Sequence, residues 1–311
     1  MDLASLVAAV RSHPGLTGKR HLQMVSRLMG GDGEDAAVIA VGDERLALAA
    51  EAVVPDLVAA APRVAGIAGV VATLNDIAAA GAEPIALLDT VVGTAAVVEE
   101  ALAGVRAGAD VYGVPVVGGH TTIGEIGDGA ISVVGVGRCR APLRITRAAA
   151  GDVVSAAICT DGELIGDEGA MPFFSHLRGP RRNRAADDLG LLPQAADAGE
   201  LWAARDVSMP GIAGSLIQML EGTGLGCSLD VDAIPRPADV HLVDWLRVFM
   251  SYGFLLVGDP DALLRRFEAA GIPIATVGTL DDSGLVRLRS GAELRSVWDF
   301  AVDRLTGFGG G

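Results

Sequence analysis

The sequence has few aromatic residues, a single lysine and no long uninterrupted apolar segment. Aromatic side chains make up 4% of the 311 residues, so a core must be built mainly from Ala, Val, Leu and Ile. An apolar stretch at residues 65–88 is broken by Asn75, Asp76, Glu83 and Pro84, which argues against a membrane-spanning helix. The first residues do not resemble a secretory signal. We therefore expect a cytoplasmic protein that does not use the membrane.

Basic charge is also scarce, because the formal net charge is −15 at pH 7. This excess of acid argues against binding to nucleic acid or to anionic lipid. A polyanion such as ATP remains compatible if Mg²⁺ and a local basic group offset the repulsion. The three cysteines are an odd number without metal-ligand spacing, so we expect reduced core residues.

The length and the apolar content favour two domains, which we place at residues 1–147 and 148–311. The first domain reads as a mixed α/β fold. Helices are predicted at residues 2–11, 20–29, 65–80 and 95–111, with a Gly/Pro-broken loop at 13–19. Strands are predicted at residues 36–41, 45–50, 85–92, 114–117 and 131–136.

The second domain reads as another α/β arrangement around an irregular stretch at residues 160–184. Helices are predicted at residues 192–204 and 212–220, and strands at 153–158, 226–231, 254–257, 274–277 and 285–288. Together the two halves predict the fold class α/β, or α+β, in two domains.

Three polar clusters beside glycine are candidates for chemistry. Glu34 and Asp35 precede a strand, where flexible backbone lets carboxylates approach a hard cation. Asn75 and Asp76 lie mid-helix, where an acid needs solvent or a partner. The third cluster is the predicted turn Gly118-Gly119-His120-Thr121, whose backbone N–H groups could meet a phosphate. Taken singly, the first two are better explained by exposed acidic residues, and the third can be a tight turn with exposed polar residues.

A fourth acid, Asp206, precedes a predicted helix for which Ser208 is a candidate N-cap. It could complement the helix dipole, or it could supply a metal ligand from the second domain.

The order of these motifs carries a resemblance. The chain resembles the superfamily of aminoimidazole ribonucleotide synthetase, thiamine-monophosphate kinase and selenophosphate synthetase. The resemblance lies in residues 33–39 (GEDAAVI), 74–93 (LNDIAAAGAEPIALLDTVVG), 116–122 (VVGGHTT) and the stretch from DVSMPG at 206–211 onward. The similarity spans roughly residues 30–280. It implies an N-terminal domain that dimerises through its sheet, a C-terminal α/β domain, and ATP and Mg²⁺ bound between them.

The resemblance also assigns residue roles. Asp35, Asp76 and Asp206 match the family's metal-binding acids, and Asn75 precedes one of them. Glu51 falls where relatives carry an Asp after the second strand. The residues that match the turn near the nucleotide are Gly118, Gly119, His120 and Thr121. Lys19 matches the N-terminal region that carries an essential lysine in selenophosphate synthetase, and we take Lys19, Asp76 and His120 as the catalytic candidates.

Departures from the relatives leave the reaction open. No cysteine precedes Lys19, which counts against selenophosphate synthesis, and His120 replaces the acid of the other relatives. The segment 161–176 matches none of them, so it either sets substrate specificity or forms a surface excursion. Arg178, Arg181, Arg182 and Arg184 follow it and could meet a substrate phosphate or carboxylate, or lie in a solvated loop.

The sequence thus predicts a homodimeric enzyme that uses ATP and Mg²⁺ to phosphorylate or activate a small-molecule substrate, as a synthetase or cyclo-ligase does. One alternative is a small-molecule kinase of the thiamine-monophosphate-kinase type. The other is a nucleotide-binding subunit without catalysis, which retention of the acids disfavours because carboxylates gathered in one site repel each other.

Overall fold

The computed structural model describes residues 2–125, 127–165 and 172–309. The α-helices are α1 (Leu3–Arg11), α2 (Pro14–Thr17), α3 (Leu22–Met29), α4 (Pro55–Ala60), α5 (Pro62–Ala79), α6 (Ala95–Tyr112), α7 (Ala185–Leu189), α8 (Leu191–Asp197), α9 (Gly211–Leu220), α10 (Leu242–Trp245) and α11 (Pro260–Ala270). Short 3₁₀ helices lie at Gly18–His21, Ile145–Arg147, His176–Arg178 and Arg182–Arg184.

The strands form three sheets. They are β1 (Ala37–Val41), β2 (Glu44–Ala52), β3 (Ala82–Gly93), β4 (Val116–Ile123), β5 (Ala130–Cys139), β6 (Val153–Ile158), β7 (Glu163–Ile165), β8 (Phe173–Ser175), β9 (Leu201–Asp206), β10 (Gly226–Asp230), β11 (Phe249–Met250), β12 (Gly253–Gly258), β13 (Ile274–Asp281), β14 (Leu285–Ser290) and β15 (Glu293–Asp299). The α/β fold class predicted from the sequence is confirmed.

The chain divides into two compact units. The central unit comprises Asp35–Pro142 and Arg182–Asp197, and the terminal unit comprises Met1–Glu34, Leu143–Arg181 and Ala198–Gly311. The helices α1 to α3 therefore belong with the C-terminal half of the chain. The domain boundary at residue 147 and the roles assigned to the two halves stay predictions.

The central unit is built on a five-stranded sheet in the order β1-β2-β5-β3-β4. The strands predicted at residues 36–41 and 45–50 form a hairpin: β1 pairs antiparallel with β2, from Ala37 opposite Leu48 to Val41 opposite Glu44, through a turn in which Gly42 has φ 61°. The edge strand β4 joins β3 in the parallel sense. The sheet is therefore mixed, as predicted.

Helices α5 and α6 cover one face of this sheet. They approach closely at two glycines, because a Cβ added to Gly66 would lie 2.2 Å from the carbonyl oxygen of Ala101, and one added to Gly104 would lie 2.1 Å from that of Arg63. Thr73 of α5 donates its hydroxyl to the carbonyl oxygen of Val133 in β5 at 3.2 Å. These contacts fix the position and rotation of α5 on the sheet.

The other face of the five-stranded sheet carries exposed apolar side chains. Period-two alternation along the paired strands puts Leu46 and Leu48 of β2, Val134 of β5 and Leu88 of β3 on this face. Ile39 and Leu88 are 47% and 36% exposed. Among the described residues of this unit, the packed helices lie on the opposite face.

The predicted turn at Gly118, Gly119, His120 and Thr121 is wrong, because all four residues continue the strand β4. Their partners in β3 run from Leu88 opposite Gly118 to Val91 opposite Thr121. Two consecutive glycines suggested a turn, but pairing with the long strand β3 holds the chain extended through them.

The terminal unit is built on a seven-stranded sheet in the order β15-β14-β10-β13-β6-β12-β9. Helix α1 packs on β14 and β15, and α9 packs on β9 and β12, and both helices contribute to one large apolar core. Helix α11 packs against β6 and β13. Helix α11 was not predicted from the sequence, although Asp259 caps it and Gly271, with φ 77°, ends it.

Two other predictions in the terminal segments are wrong. Residues 13–19 form helix α2 and the start of a 3₁₀ helix rather than a loop. The predicted helix 192–204 ends at Asp197, where Gly199 with φ 72° turns the chain into the buried strand β9. Ser208 does not cap α9, whose N-cap position is Pro210.

The three cysteines are buried and free, as predicted. In the described part of the chain, we find no helix whose length and apolar content would let it cross a bilayer.

A buried histidine lies beside the small sheet β11-β8-β7. His176 is 1% exposed, and its Nδ1 lies 2.6 Å from the hydroxyl oxygen of Ser251. Burial, with a smaller contribution from the positive charge of Arg181, lowers the pKa of His176 from 6.5 to about 4. The folded protein therefore holds this imidazole neutral where the unfolded chain would protonate it.

We predict that folding stability falls by about 2 kcal/mol between pH 7 and pH 5 through His176 alone, because only the unfolded chain takes up this proton in that window. The loss begins near pH 6.5 and ends near pH 4. Urea unfolding of the wild type and of His176→Gln at both pH values measures it. The variant should lose the part of the pH dependence that His176 contributes, about 2 kcal/mol, while His241→Gln, at an exposed histidine, should keep it. Equal pH dependence in wild type and His176→Gln would contradict this assignment.

Candidate functional site

A glycine-rich loop at residues 30–34 leads directly to Asp35 and strand β1. Gly30, Gly31 and Gly33 have φ values of 68°, 127° and 77°, which side chains other than hydrogen rarely tolerate. The loop belongs to the terminal unit, and Asp35 is the first residue of the central unit. The backbone conformation of the loop at residues 30–34 is therefore set by its glycines and not by a helix or strand.

Three polar contacts within the terminal unit anchor this loop. The carboxylate of Asp32 forms an ion pair with Arg144, and the carboxylate of Glu34 accepts a hydrogen bond from the backbone N–H of Ile145 at 2.9 Å. The guanidinium of Arg205 donates to the carbonyl oxygen of Gly33 at 3.0 Å. In the Glu34–Asp35 pair, Glu34 therefore has a backbone partner that fixes the loop.

Asp35 and Asp76 come together in the central unit. Each offers a carboxylate oxygen within 4.8 Å of the other, and both side chains are half-buried. Asp35 is positioned by the loop that leads into β1. Asp76 belongs to helix α5 and lies about one turn beyond Thr73, whose hydroxyl is hydrogen-bonded to the sheet. The structure thus brings together two residues that the sequence analysis selected 41 positions apart.

Two carboxylates at this separation suit a hard divalent cation. Mg²⁺ binds oxygen ligands at about 2.1 Å, so neighbouring ligand oxygens around one ion lie roughly 3 to 4 Å apart. The Asp35 and Asp76 oxygens need only a small movement to reach that spacing. Their mutual repulsion favours any bound cation. The donor set therefore fits Mg²⁺.

Glu51 and Asn75 belong to the same unit. Ala47 and Ala49 of β2 are buried, so alternation puts Glu51 on the same, helix-covered face of the sheet. Glu51 lies within the second strand rather than after it, opposite Val133. Asn75 is 1% exposed, so the alternative that it simply faces solvent does not hold.

His120 lies on the edge strand β4 and is exposed. It stands opposite Thr90 of β3, and its Nε2 lies 3.4 Å from the hydroxyl of Thr122 on the same strand. Because β4 is the last strand of the sheet, the backbone groups on its outer edge are not used by the ladder. Donors for a phosphate would therefore come from a strand edge rather than from a turn.

Asp206 and Lys19 lie in the terminal unit. Asp206 is buried at the end of β9, next to Arg205, which holds the glycine loop. Lys19 is half-buried in the 3₁₀ helix Gly18–His21. The segment before Lys19 packs on the loop after Asp206, since His13 Nε2 lies 2.9 Å from the carbonyl oxygen of Met209. The roles of both residues remain predictions.

Asp89 is an acid that the sequence analysis quoted but did not select. It is 9% exposed in β3, and burial raises the pKa of its carboxyl group. Gly119 of β4 leaves room for it, because an added Cβ would lie 2.8 Å from Asp89 Oδ1. One charged residue inside the apolar strand 85–92 was the available signal.

Two of the arginines in the segment 178–184 contact other parts of the protein. Arg181 is buried and donates to the carbonyl oxygens of Ala270 and Gly271 at the end of α11. Arg178 forms an exposed ion pair with Glu163 at 3.4 Å. The expectation of a substrate-facing cluster is therefore not met by Arg181. The proposed specificity segment 161–176 falls partly on residues 166–171, which lie outside the described residues.

Two family models match this chain. Residues 33–139 match the N-terminal domain of AIR synthase related proteins, and residues 178–290 match the C-terminal domain. The chain belongs to the AIR synthase related family. An uncharacterized protein of Synechocystis sp. is 30% identical over 99% of this chain and 99% of its own length.

Solved structures of two members of the superfamily share the fold. Thermotoga maritima PurL, solved in complex with ADP, superposes with a TM-score of 0.78 at 18% identity, covering 98% of this chain and 52% of that chain. AaThiL, solved with AMPPCP and TMP, gives a TM-score of 0.67 at 15% identity over 88% of this chain and 94% of its own. The present chain thus spans about half the length of that PurL.

Proposed function

We propose that this member of the AIR synthase related family is a cytoplasmic enzyme that uses ATP and Mg²⁺ to phosphorylate or activate a small-molecule substrate. The single observation that carries the proposal is the Asp35–Asp76 pair, whose carboxylate oxygens lie within 4.8 Å of each other. Family membership supports it, and so do the nucleotides bound to the two structures of the same fold, ADP on PurL and AMPPCP on ThiL.

In this proposal Asp35 and Asp76 hold Mg²⁺, and the resemblance to the family assigns the same role to Asp206. Bound there, Mg²⁺ would neutralise charge on the phosphates and so favour transfer. Asp35 and Asp76 would supply the carboxylate oxygens that hold it. Because they are carried by a fixed loop and a packed helix, they need little rearrangement to do so.

The remaining candidates supply contacts to the nucleotide. Gly118, Gly119 and Thr121 belong to β4, whose alternate residues direct their backbone N–H groups to its outer edge, and the absence of a Cβ at two positions lets a phosphate approach. His120 and Lys19 supply side-chain donors, and Lys19 neutralises the transferring phosphoryl group. The product is a phosphate ester, or an activated oxygen that a nitrogen nucleophile then displaces.

Asp76→Asn tests the metal site. The substitution keeps the shape of the side chain and removes half of the carboxylate pair, so we predict that Mg²⁺-dependent binding of ATP weakens at least 10-fold. Calorimetric titration of ATP with and without Mg²⁺ measures it. Asp43→Asn, at an exposed acid in the β1–β2 turn, is the matched control and should bind as the wild type does.

Two outcomes would contradict the proposal. A folded wild type that binds no ATP in the presence of Mg²⁺ would leave the family assignment intact and remove the ATP-dependent activity. Binding by Asp76→Asn equal to that of the wild type would remove this residue from the site. If ATP is bound, release of ADP on addition of a metabolite pool distinguishes an enzyme from a non-catalytic nucleotide-binding subunit. A stable phosphate ester as the product then indicates a kinase, whereas a product in which nitrogen has displaced the activated oxygen indicates a ligase.

The open face of the five-stranded sheet supports a homodimer. Its apolar side chains, among them Ile39, Leu48, Leu88 and Val134, form a continuous surface across four strands. Burial of such a face against a second copy removes apolar area from water at about 25 cal/mol per Å². A second copy of the chain is the partner that presents the same surface at the same time.

Leu88→Arg is predicted to give a monomer, because it places a charge in the middle of this apolar face. Sedimentation velocity at micromolar concentration measures the mass. Val302→Arg changes an exposed apolar residue of the terminal unit and should leave the dimer intact. A monomeric wild type, or a dimeric Leu88→Arg, would contradict the proposed interface.

A further inference from the structure

The last described residues of the chain, 303–309, form an irregular segment that is held firmly in the terminal unit. We call it the C-terminal clasp. Glu221, which follows α9, accepts hydrogen bonds from the backbone N–H groups of Leu305 at 2.7 Å and Thr306 at 2.8 Å. The side chain of Leu305 is fully buried in the core of this unit. One carboxylate and one apolar anchor therefore fix the middle of the clasp.

The clasp holds helix α3. Gln23 donates its side-chain amide to the carbonyl oxygen of Leu305 at 3.1 Å, and Ser26 donates its hydroxyl to that of Gly307 at 2.7 Å. No residue of α3 is buried. Hydrogen bonds to the clasp are thus a main attachment of this helix, which leads straight into the glycine loop at residues 30–34.

The clasp also covers the glycine loop itself. A Cβ added to Gly31 would lie 3.3 Å from the ring of Phe308, and one added to Gly33 would lie 3.0 Å from the Cβ of Phe308. Phe308 therefore fills the space that a side chain at either glycine would need. It packs on a loop whose own residues supply no side chain to a core.

Contacts from different parts of the chain thus converge on one short loop. Arg144, Ile145 and Arg205 hold its polar groups, and Phe308 covers its backbone. Glycines at positive φ have large conformational freedom, so an uncovered loop would sample many positions of the following Asp35. The ring of Phe308, beside Gly31 and Gly33, limits that freedom.

We propose that the C-terminal clasp fixes the glycine loop and that Phe308 is a positioning residue for Asp35. The functional half of this inference rests on the proposed function, because it requires that Asp35 bind Mg²⁺ with the nucleotide. The structural half does not: the clasp orders residues 30–34 whether or not a ligand is bound. The two halves have separate measurements.

The test uses Phe308→Ala in the full chain. Amide hydrogen exchange of residues 30–34 without ligand should become at least about 10-fold faster, since the covering ring is gone. The dissociation constant for ATP with Mg²⁺ should rise about 10-fold, as is typical when residues that support a metal ligand are removed. Phe308 is half-exposed, so the fold should survive the change.

Two further variants sharpen the test. Phe308→Leu keeps an apolar cover and should restore both measurements to within about threefold of the wild type. Val302→Ala removes apolar atoms from an exposed residue next to the clasp and should change neither measurement. Ser26→Ala removes the hydrogen bond to Gly307 and should speed exchange in α3 without touching Phe308.

The outcomes are distinct. Unchanged exchange of residues 30–34 in Phe308→Ala would overturn the clasp. Faster exchange with an unchanged dissociation constant would overturn the positioning role of Phe308. If the wild type binds no ATP with Mg²⁺, the proposed function fails, whereas faster exchange in Phe308→Ala would still support the clasp.

Discussion

Repulsion between the carboxylates of Asp35 and Asp76 is the constraint on which the account of this protein depends. Two negative charges within 4.8 Å, on half-buried side chains, repel each other, and a bound cation lowers the free energy of that arrangement. The fold holds both residues on well-fixed elements, a feature typical of a site that is prepared for a cation.

The two acids are positioned by different means. Asp76 lies on α5. This helix is fixed by its close approach to α6 at Gly66 and Gly104 and by the hydrogen bond from the Thr73 hydroxyl to the carbonyl oxygen of Val133. Asp35 follows a loop that no helix or strand stabilises, and that loop depends on side chains brought from residues 144, 205 and 308. The helix supplies rigidity through packing, while the loop acquires it through long-range contacts.

Much of the fold follows from local pattern. The hairpin β1–β2, the helices α5 and α6 and the buried strand β6 have the periodicity, caps and turn glycines that their sequences predict. The strand β4 could not be predicted as well, because Gly118 and Gly119 favour a turn locally and pairing with β3 decides otherwise. Strand β9 was not predicted either, because its first residues were assigned to the predicted helix 192–204.

The acids of the candidate site could be selected from the sequence because they occur in motifs whose order resembles a family. The contacts that hold the glycine loop could not, because they join residues far apart in the chain. Asp35 and Asp76 were selected through the resemblance to a family, and the structure brings their carboxylates together. The anchoring of Glu34 to Ile145 and the cover of Phe308 over Gly31 and Gly33 join residues more than 100 positions apart. No local pattern near residues 30–34 indicates either contact.

The most direct test of the central claim is a crystal structure of the protein grown with AMPPCP and Mn²⁺, which binds to Mg²⁺ sites and scatters anomalously. The account predicts an anomalous difference peak about 2.2 Å from a carboxylate oxygen of Asp35 and of Asp76, with nucleotide phosphate beside it. Nucleotide bound without a metal peak at these two residues, or a metal peak elsewhere in the chain, would contradict it.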